Sequence, residues 1–203
     1  MDTPFKPPAA AIEFLQQADP VLGEFISSFG EITRRKTISN PLEALISSII
    51  GQQVSRPAAR SINSKFNNLI SCQFEPEHVL SFNDEQLRGC GLSRPKIKYV
   101  KSLCQAIVDG SVDLNNLEAL SDKEVIRMLT TVNGIGIWTA EMFLIFCLER
   151  PNILSYNDLG IRRGIKNLYQ LQELPTKGFV DQLRQRYAPF NTVASFYLWE
   201  ASV

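Results

Sequence analysis

The residues with the most chemical potential lie between Leu129 and Arg163, in LTTVNGIGIWTAEMFLIFCLERPNILSYNDLGIRR. A short loop there delivers a lone acidic residue, Asp158. A carboxylate in such a place can stabilise positive charge that builds on a reacting group, or orient an attacking water. It also precedes Leu159-Gly160-Ile161-Arg162-Arg163, where it could cap a helix and do nothing more. Upstream, Gly134 and Gly136 flank Ile135 in V-N-G-I-G-I. Glycine reaches backbone angles closed to other residues and leaves no side chain in a ligand's way. The spacing of Trp138, Phe143, Leu144 and Ile145 predicts a helix starting just past Gly136. Its first N–H groups form an anion site, and a glycine corner with outward amides suits a phosphate diester. A plain helix–turn–helix corner competes, because short glycine patterns are weak signals.

The elements that must position these groups read as helices throughout, since no stretch alternates with period two. Residues 1–10 are proline-rich and read as a mobile lead-in. Ala11 to Phe29 suits two helices broken at Asp19-Pro20. The basic cluster Arg34-Arg35-Lys36 follows, either a solvated face or a nucleic-acid contact. From Pro41 an apolar helix carries Leu42, Leu45, Ile46, Ile49 and Ile50. Gly51-Gln52-Gln53-Val54-Ser55-Arg56-Pro57 interrupts it, and a helix resumes near Ala58 and reaches Leu69. Ser55 reads as N-cap with Pro57 in the first turn. Two adjacent glutamines between buried helices need partners. Glu75 to Leu87 holds one or two short helices. Gly89 and Gly91 mark a turn, Ser93 can cap, Pro95 suits a first turn, and Lys96, Lys98 and Lys101 decorate the helix. A further helix, capped by Ser121, ends at Leu129.

The chain has 203 residues, enough for one compact domain or two subdomains. Lys plus Arg equals Asp plus Glu at 21 each, so any site for a polyanion must be local. Cys72, Cys90, Cys104 and Cys147 are far apart, which fits buried thiols of an intracellular protein rather than a disulfide frame or metal site. A lone histidine, His78, excludes paired-histidine chemistry. No apolar run is long enough to span a bilayer, and the first residues lack a signal-peptide core.

Together, I-I-G-Q-Q-V-S at 49–55, L-R-G-C-G-L-S-R-P-K at 87–96, V-N-G-I-G-I-W-T-A at 132–140 and N-D-L-G-I-R-R-G at 157–164 resemble the helix-hairpin-helix glycosylase superfamily. Within it they are similar to the 3-methyladenine, or alkylpurine, DNA glycosylases of the short form that lacks an N-terminal β domain. The resemblance implies an all-α fold of two helical subdomains with an active-site cleft between them. Residues 36–145 would form a helical barrel that includes the hairpin 132–136. Residues 11–35 plus 146–203 would form the second subdomain. It implies double-stranded DNA with alkylated bases or abasic sites as partner, base flipping, a monomer, no cofactor, and the nucleus as location.

By the same resemblance Asp158 is the catalytic carboxylate. Trp138, Trp199 and Met142 belong to the base pocket, with core packing the competing use of the tryptophans. Gln53 is the wedge that fills the gap left by the flipped nucleotide, with Gln52 and Ser55 beside it near the minor groove. Gly134, Gly136, Thr139, Lys96, Arg162 and Arg163 are phosphate contacts, and the carbonyls of Val132 and Ile135 could bind a monovalent cation. Ile137 and Trp138 stand where the lyase branch carries its Schiff-base lysine, which implies a monofunctional hydrolase without the family's iron–sulfur cluster. The chain departs from the pattern at Asn157, where an acid is frequent, at Met142, which can be aromatic, and at Asn191 and Val193, in place of an arginine and an aromatic. These departures keep open a damaged- or abasic-site binding homologue with weak or no activity, and a scaffold module without chemistry.

Overall fold

The computed structural model describes residues 6–32 and 38–203. The basic cluster Arg34-Arg35-Lys36 therefore lies outside the described residues. All regular structure within them is helical. The chain opens with α1 (Ala9–Ala18) and α2 (Pro20–Phe29), continues through α3 (Pro41–Gly51), α4 (Arg56–Leu69), α5 (Pro76–Leu80), α6 (Asp84–Gly89), α7 (Arg94–Val108), α8 (Asp122–Leu129) and α9 (Ile137–Phe146), and closes with α10 (Leu159–Leu168), α11 (Lys177–Tyr187) and α12 (Asn191–Glu200). Two compact units result. Of the described residues, unit 1 combines 6–32 and 149–203, and unit 2 comprises 38–148.

Local chemistry sets most helix starts. Asn40, Ser55, Asn83, Ser121, Asp158 and Thr176 each accept a backbone N–H in the first turn with a side-chain oxygen. Asn83 with Gln86, and Ser121 with Glu124, close reciprocal capping boxes. Ser93 occupies the N-cap of α7, but its hydroxyl makes no capping bond. α4 begins two residues before Ala58, because Pro57 fits the first turn that Ser55 caps.

In unit 1, Asp19 is buried and does more than break a helix. Its Oδ1 accepts the N–H groups of Val21 and Leu22 at 3.0 and 3.2 Å and so caps α2. Its Oδ2 accepts the Tyr169 hydroxyl and the Arg186 guanidinium, both at 2.6 Å. Burial alone would raise this carboxyl, but the bonds from Tyr169, Arg186 and Leu22 outweigh it and hold the group below its ordinary range. The sequence-distant α2 and α11 are thereby tied through one carboxylate. α10 lies so close to α12 that a Cβ on Gly164 would sit 1.9 Å from the Leu198 carbonyl oxygen. In unit 2, α3 is the central apolar helix, with Leu45, Ile46, Ile49 and Ile50 fully buried.

Candidate active site

Asp158 is the N-cap of α10 and is 7% exposed. Its Oδ1 accepts the Ile161 N–H at 2.8 Å and the Trp199 indole N–H at 3.0 Å. The helix start supplies one donor and α12 the other, so the carboxylate is oriented from two directions. Gly160 makes the second contact feasible. A Cβ there would stand 2.9 Å from Trp199 Cδ1 and 3.0 Å from Asp158 Oδ1. The positive end of the α10 dipole favours an anion at this position. Arg162, on the next turn, places its guanidinium 4.9 Å from the Tyr156 ring centroid, a cation–π arrangement. Its Nε is buried and has no hydrogen-bond partner among the described residues. Arg163 is exposed.

The glycine corner lies in unit 2. Gly134 has φ of +92°, the left-handed region. A Cβ at this position would lie 2.2 Å from Cγ of Tyr99, so both the backbone and the packed ring demand glycine. Ile135 N–H closes the turn on the Val132 carbonyl at 3.1 Å. Gly136 is the exposed N-cap of α9 and, having no side chain, supplies no side-chain capping bond. Trp138 lies on that first turn and is 40% exposed, whereas Met142, one turn on, is buried.

The glutamine turn is attached to this corner. Gln52 Nε2 donates to the Gly134 carbonyl at 2.9 Å. Gln53 is exposed and itself left-handed, with φ of +55°, a conformation that costs a non-glycine residue about 1–2 kcal/mol. The turn thus holds one glutamine inward as a tie and presents the other outward.

Two of the residues expected at phosphates are buried. Lys96 is 8% exposed, and its ammonium donates to the Ile50 carbonyl at 2.7 Å. It satisfies the carboxyl end of α3 rather than a phosphate, and burial lowers its pKa. Thr139, in the first turn of α9, is 3% exposed. Asn191, one of the departures, has a structural use. It is buried and donates to Asn152 Oδ1 at 2.6 Å and to the Arg184 carbonyl at 2.9 Å. Val193 is core. The thiols of Cys104 and Cys147 are pushed by burial to about 12 and about 11. Sequence reasoning missed Gly160, Gly164 and Tyr99. The glycines two and six residues after Asp158 were visible signals, but their partners were not.

The chain is similar to known proteins in sequence and fold. The profile of HhH-GPD superfamily base excision DNA repair proteins matches residues 46–189. DNA-3-methyladenine glycosylase 1 of Schizosaccharomyces pombe is 39% identical over 165 residues, which cover 80% of this chain and 72% of that protein. The crystal structure of a DNA-3-methyladenine glycosidase from Bacillus halodurans superposes with a TM-score of 0.87 at 36% identity, covering 98% of this chain and 92% of that one. The structure of the S. pombe 3-methyladenine DNA glycosylase in complex with abasic DNA gives a TM-score of 0.84 at 34% identity, covering 95% and 96%. With the family profile spanning the glutamine turn, the glycine corner and the capped carboxylate alike, the chain belongs to the HhH-GPD superfamily of base excision DNA repair proteins.

Proposed function

We propose that this protein is a monofunctional alkylpurine DNA glycosylase, which hydrolyses the N-glycosidic bond of 3-methyladenine or 7-methylpurines after the nucleotide has rotated out of the duplex. The observation that carries the reading is the seat of Asp158, a buried carboxylate fixed by a helix amide and by an indole N–H. In the reaction the bond between C1′ and the base nitrogen breaks, and its electron pair leaves with the base. An alkylated purine is already cationic, so it departs neutral without a strong general acid. Water oxygen bonds to C1′ and loses a proton to Asp158 or to solvent. A fixed carboxylate stabilises the positive sugar through this sequence better than mobile water does.

The other groups take supporting roles in this reading. The exposed Trp138 indole, with Trp199 and Met142, would wall the base, since a π-face attracts a cationic ring. Gln53 would enter the stack, with Gln52 and Ser55 along the minor groove. The amides at Gly134 and Gly136 would hold a phosphate, with Arg162 and Arg163 as further cations. The partner is double-stranded DNA with alkylated bases or abasic sites, met by a monomer. Its working place is on DNA, which in a nucleated cell means the nucleus.

The alternative is a damage-binding homologue with weak turnover. Asn157 and Asn191 favour it, the second because its amide NH2 donates to two acceptors inside unit 1. Methylated duplex DNA decides between the two. The wild type should release methylpurines and Asp158→Asn should not. Absence of release from the wild type would leave only the binding role.

A further inference from the structure

The even charge balance of the chain conceals a segregation in unit 2. No Asp or Glu lies between Glu43 and Glu75, and none between Glu85 and Asp109. Within those two acid-free stretches one pattern occurs twice, Ser55-Arg56-Pro57-Ala58-Ala59-Arg60 and Ser93-Arg94-Pro95-Lys96-Ile97-Lys98. Each copy opens a helix, with serine at the N-cap and arginine as the first helical residue. In each, a second cation follows four residues later and so shares its face. Arg56, Arg60, Arg94 and Lys98 are all exposed. None of them forms an ion pair or side-chain hydrogen bond with another described residue. Neighbouring Lys101 differs, because it is paired with Asp84.

Helix formation does not account for Arg56 and Arg94, which stand in the first turns of α4 and α7. The first turn of a helix favours acids, and a cation there is unfavourable by roughly 0.3–1 kcal/mol. Their location is specific. Lys96 joins the first turn of α7 to the last turn of α3 through Ile50. The backbone at Gly91, just ahead of α7, lies against α4, where a Cβ would be 3.1 Å from Ile62 Cγ1. Both basic helix starts therefore adjoin the carboxyl end of α3, where the Gln52-Gln53 turn begins.

We infer that Arg56 with Arg60, and Arg94 with Lys98, form a second clamp on the phosphate backbone of duplex DNA beside the glutamine turn, separate from the glycine corner. The inference rests on the DNA-binding reading above. Guanidinium groups pair with phosphate oxygens in a two-pronged geometry. Such contacts fix register without reading bases. The clamp therefore grips intact and damaged duplex alike, and its strength falls steeply with salt.

The test is equilibrium binding by fluorescence anisotropy, to an intact duplex and to one holding a stable abasic analogue, over roughly 50–200 mM salt. Each of Arg56→Gln and Arg94→Gln should flatten the slope of log Kd against log salt by about 0.9, equally on both duplexes. The double substitution to lysine should keep the wild-type slope. An unchanged slope in the double glutamine variant, with the wild type still binding, overturns the clamp and leaves the glycosylase reading intact. A loss confined to the abasic duplex also overturns it, since a backbone grip cannot tell the two apart. A wild type that binds neither duplex overturns clamp and DNA reading together.

Discussion

The indole N–H of Trp199 and the amide N–H of Ile161 converge on one oxygen, Oδ1 of Asp158, at 3.0 and 2.8 Å. A cap that served only α10 would need the amide alone. The second donor comes from the last turn of α12 and fixes the plane of the carboxylate. Trp199→Phe keeps the ring but removes the donor. A hydrogen bond to a charged group contributes about 1.5–3 kcal/mol, and each 1.4 kcal/mol is about tenfold in rate. Single-turnover base release should slow by at least about tenfold, and a rate equal to wild type would show that the indole donor plays no part.

Gly160→Ala should separate activity from stability. Alanine favours a helix by about 1 kcal/mol over glycine, yet its Cβ would press on Trp199 and on Asp158 Oδ1. Base release should fall while the melting temperature changes by only a few degrees. Gly164→Ala should behave in the opposite sense. Its Cβ meets the rigid Leu198 carbonyl, so overpacking of about 1–3 kcal/mol or more should appear as a lower denaturant midpoint.

The two glutamines should respond differently. Gln52→Ala removes the bond to Gly134 and should destabilise by about 0.5–1.5 kcal/mol. Gln53→Gly relieves a left-handed glutamine and should stabilise by about 1 kcal/mol. It should also weaken preference for an abasic duplex over an intact one. Equal preference in variant and wild type would remove Gln53 from the wedge role.

Acid stability should depend on Asp19. Its carboxyl is held below the ordinary 3.8 in the folded protein. The stability it adds is therefore fully present above that value and is lost as pH falls through it and below. Asp19→Asn should lower stability at neutral pH and flatten its decline from about pH 5 downward. Parallel declines in wild type and variant, followed by urea unfolding at several pH values, would contradict the assignment.

Much of the site could be read from short-range chemistry. Asp158 before Leu159-Gly160 announced a capped helix, and the helix starts where it was expected, at Leu159. Gly136 announced α9, which begins at Ile137. Ser121 signalled α8, with Glu124 completing its box. What escaped depends on partners far along the chain. Nothing near Gly164 signals the Leu198 carbonyl, and nothing near Gly134 signals the Tyr99 ring. Lys96 read as a surface cation because charge in a sequence says nothing of burial. Its methylene stem can lie along the core while the ammonium finds a helix-end carbonyl. Asp19 looked like punctuation before a proline, and only the folded unit 1 brings Tyr169 and Arg186 to it.

The bond from Gln52 to Gly134 has a mechanical corollary. It rivets the turn that carries Gln53 to the corner opened by Gly136, so neither can drift without dragging the other. A strand seated at the corner would meet the protruding glutamine at a set offset, as a rule meets its stop. Substitutions that loosen the rivet should blur where along a duplex the protein probes before they alter how fast a base is released.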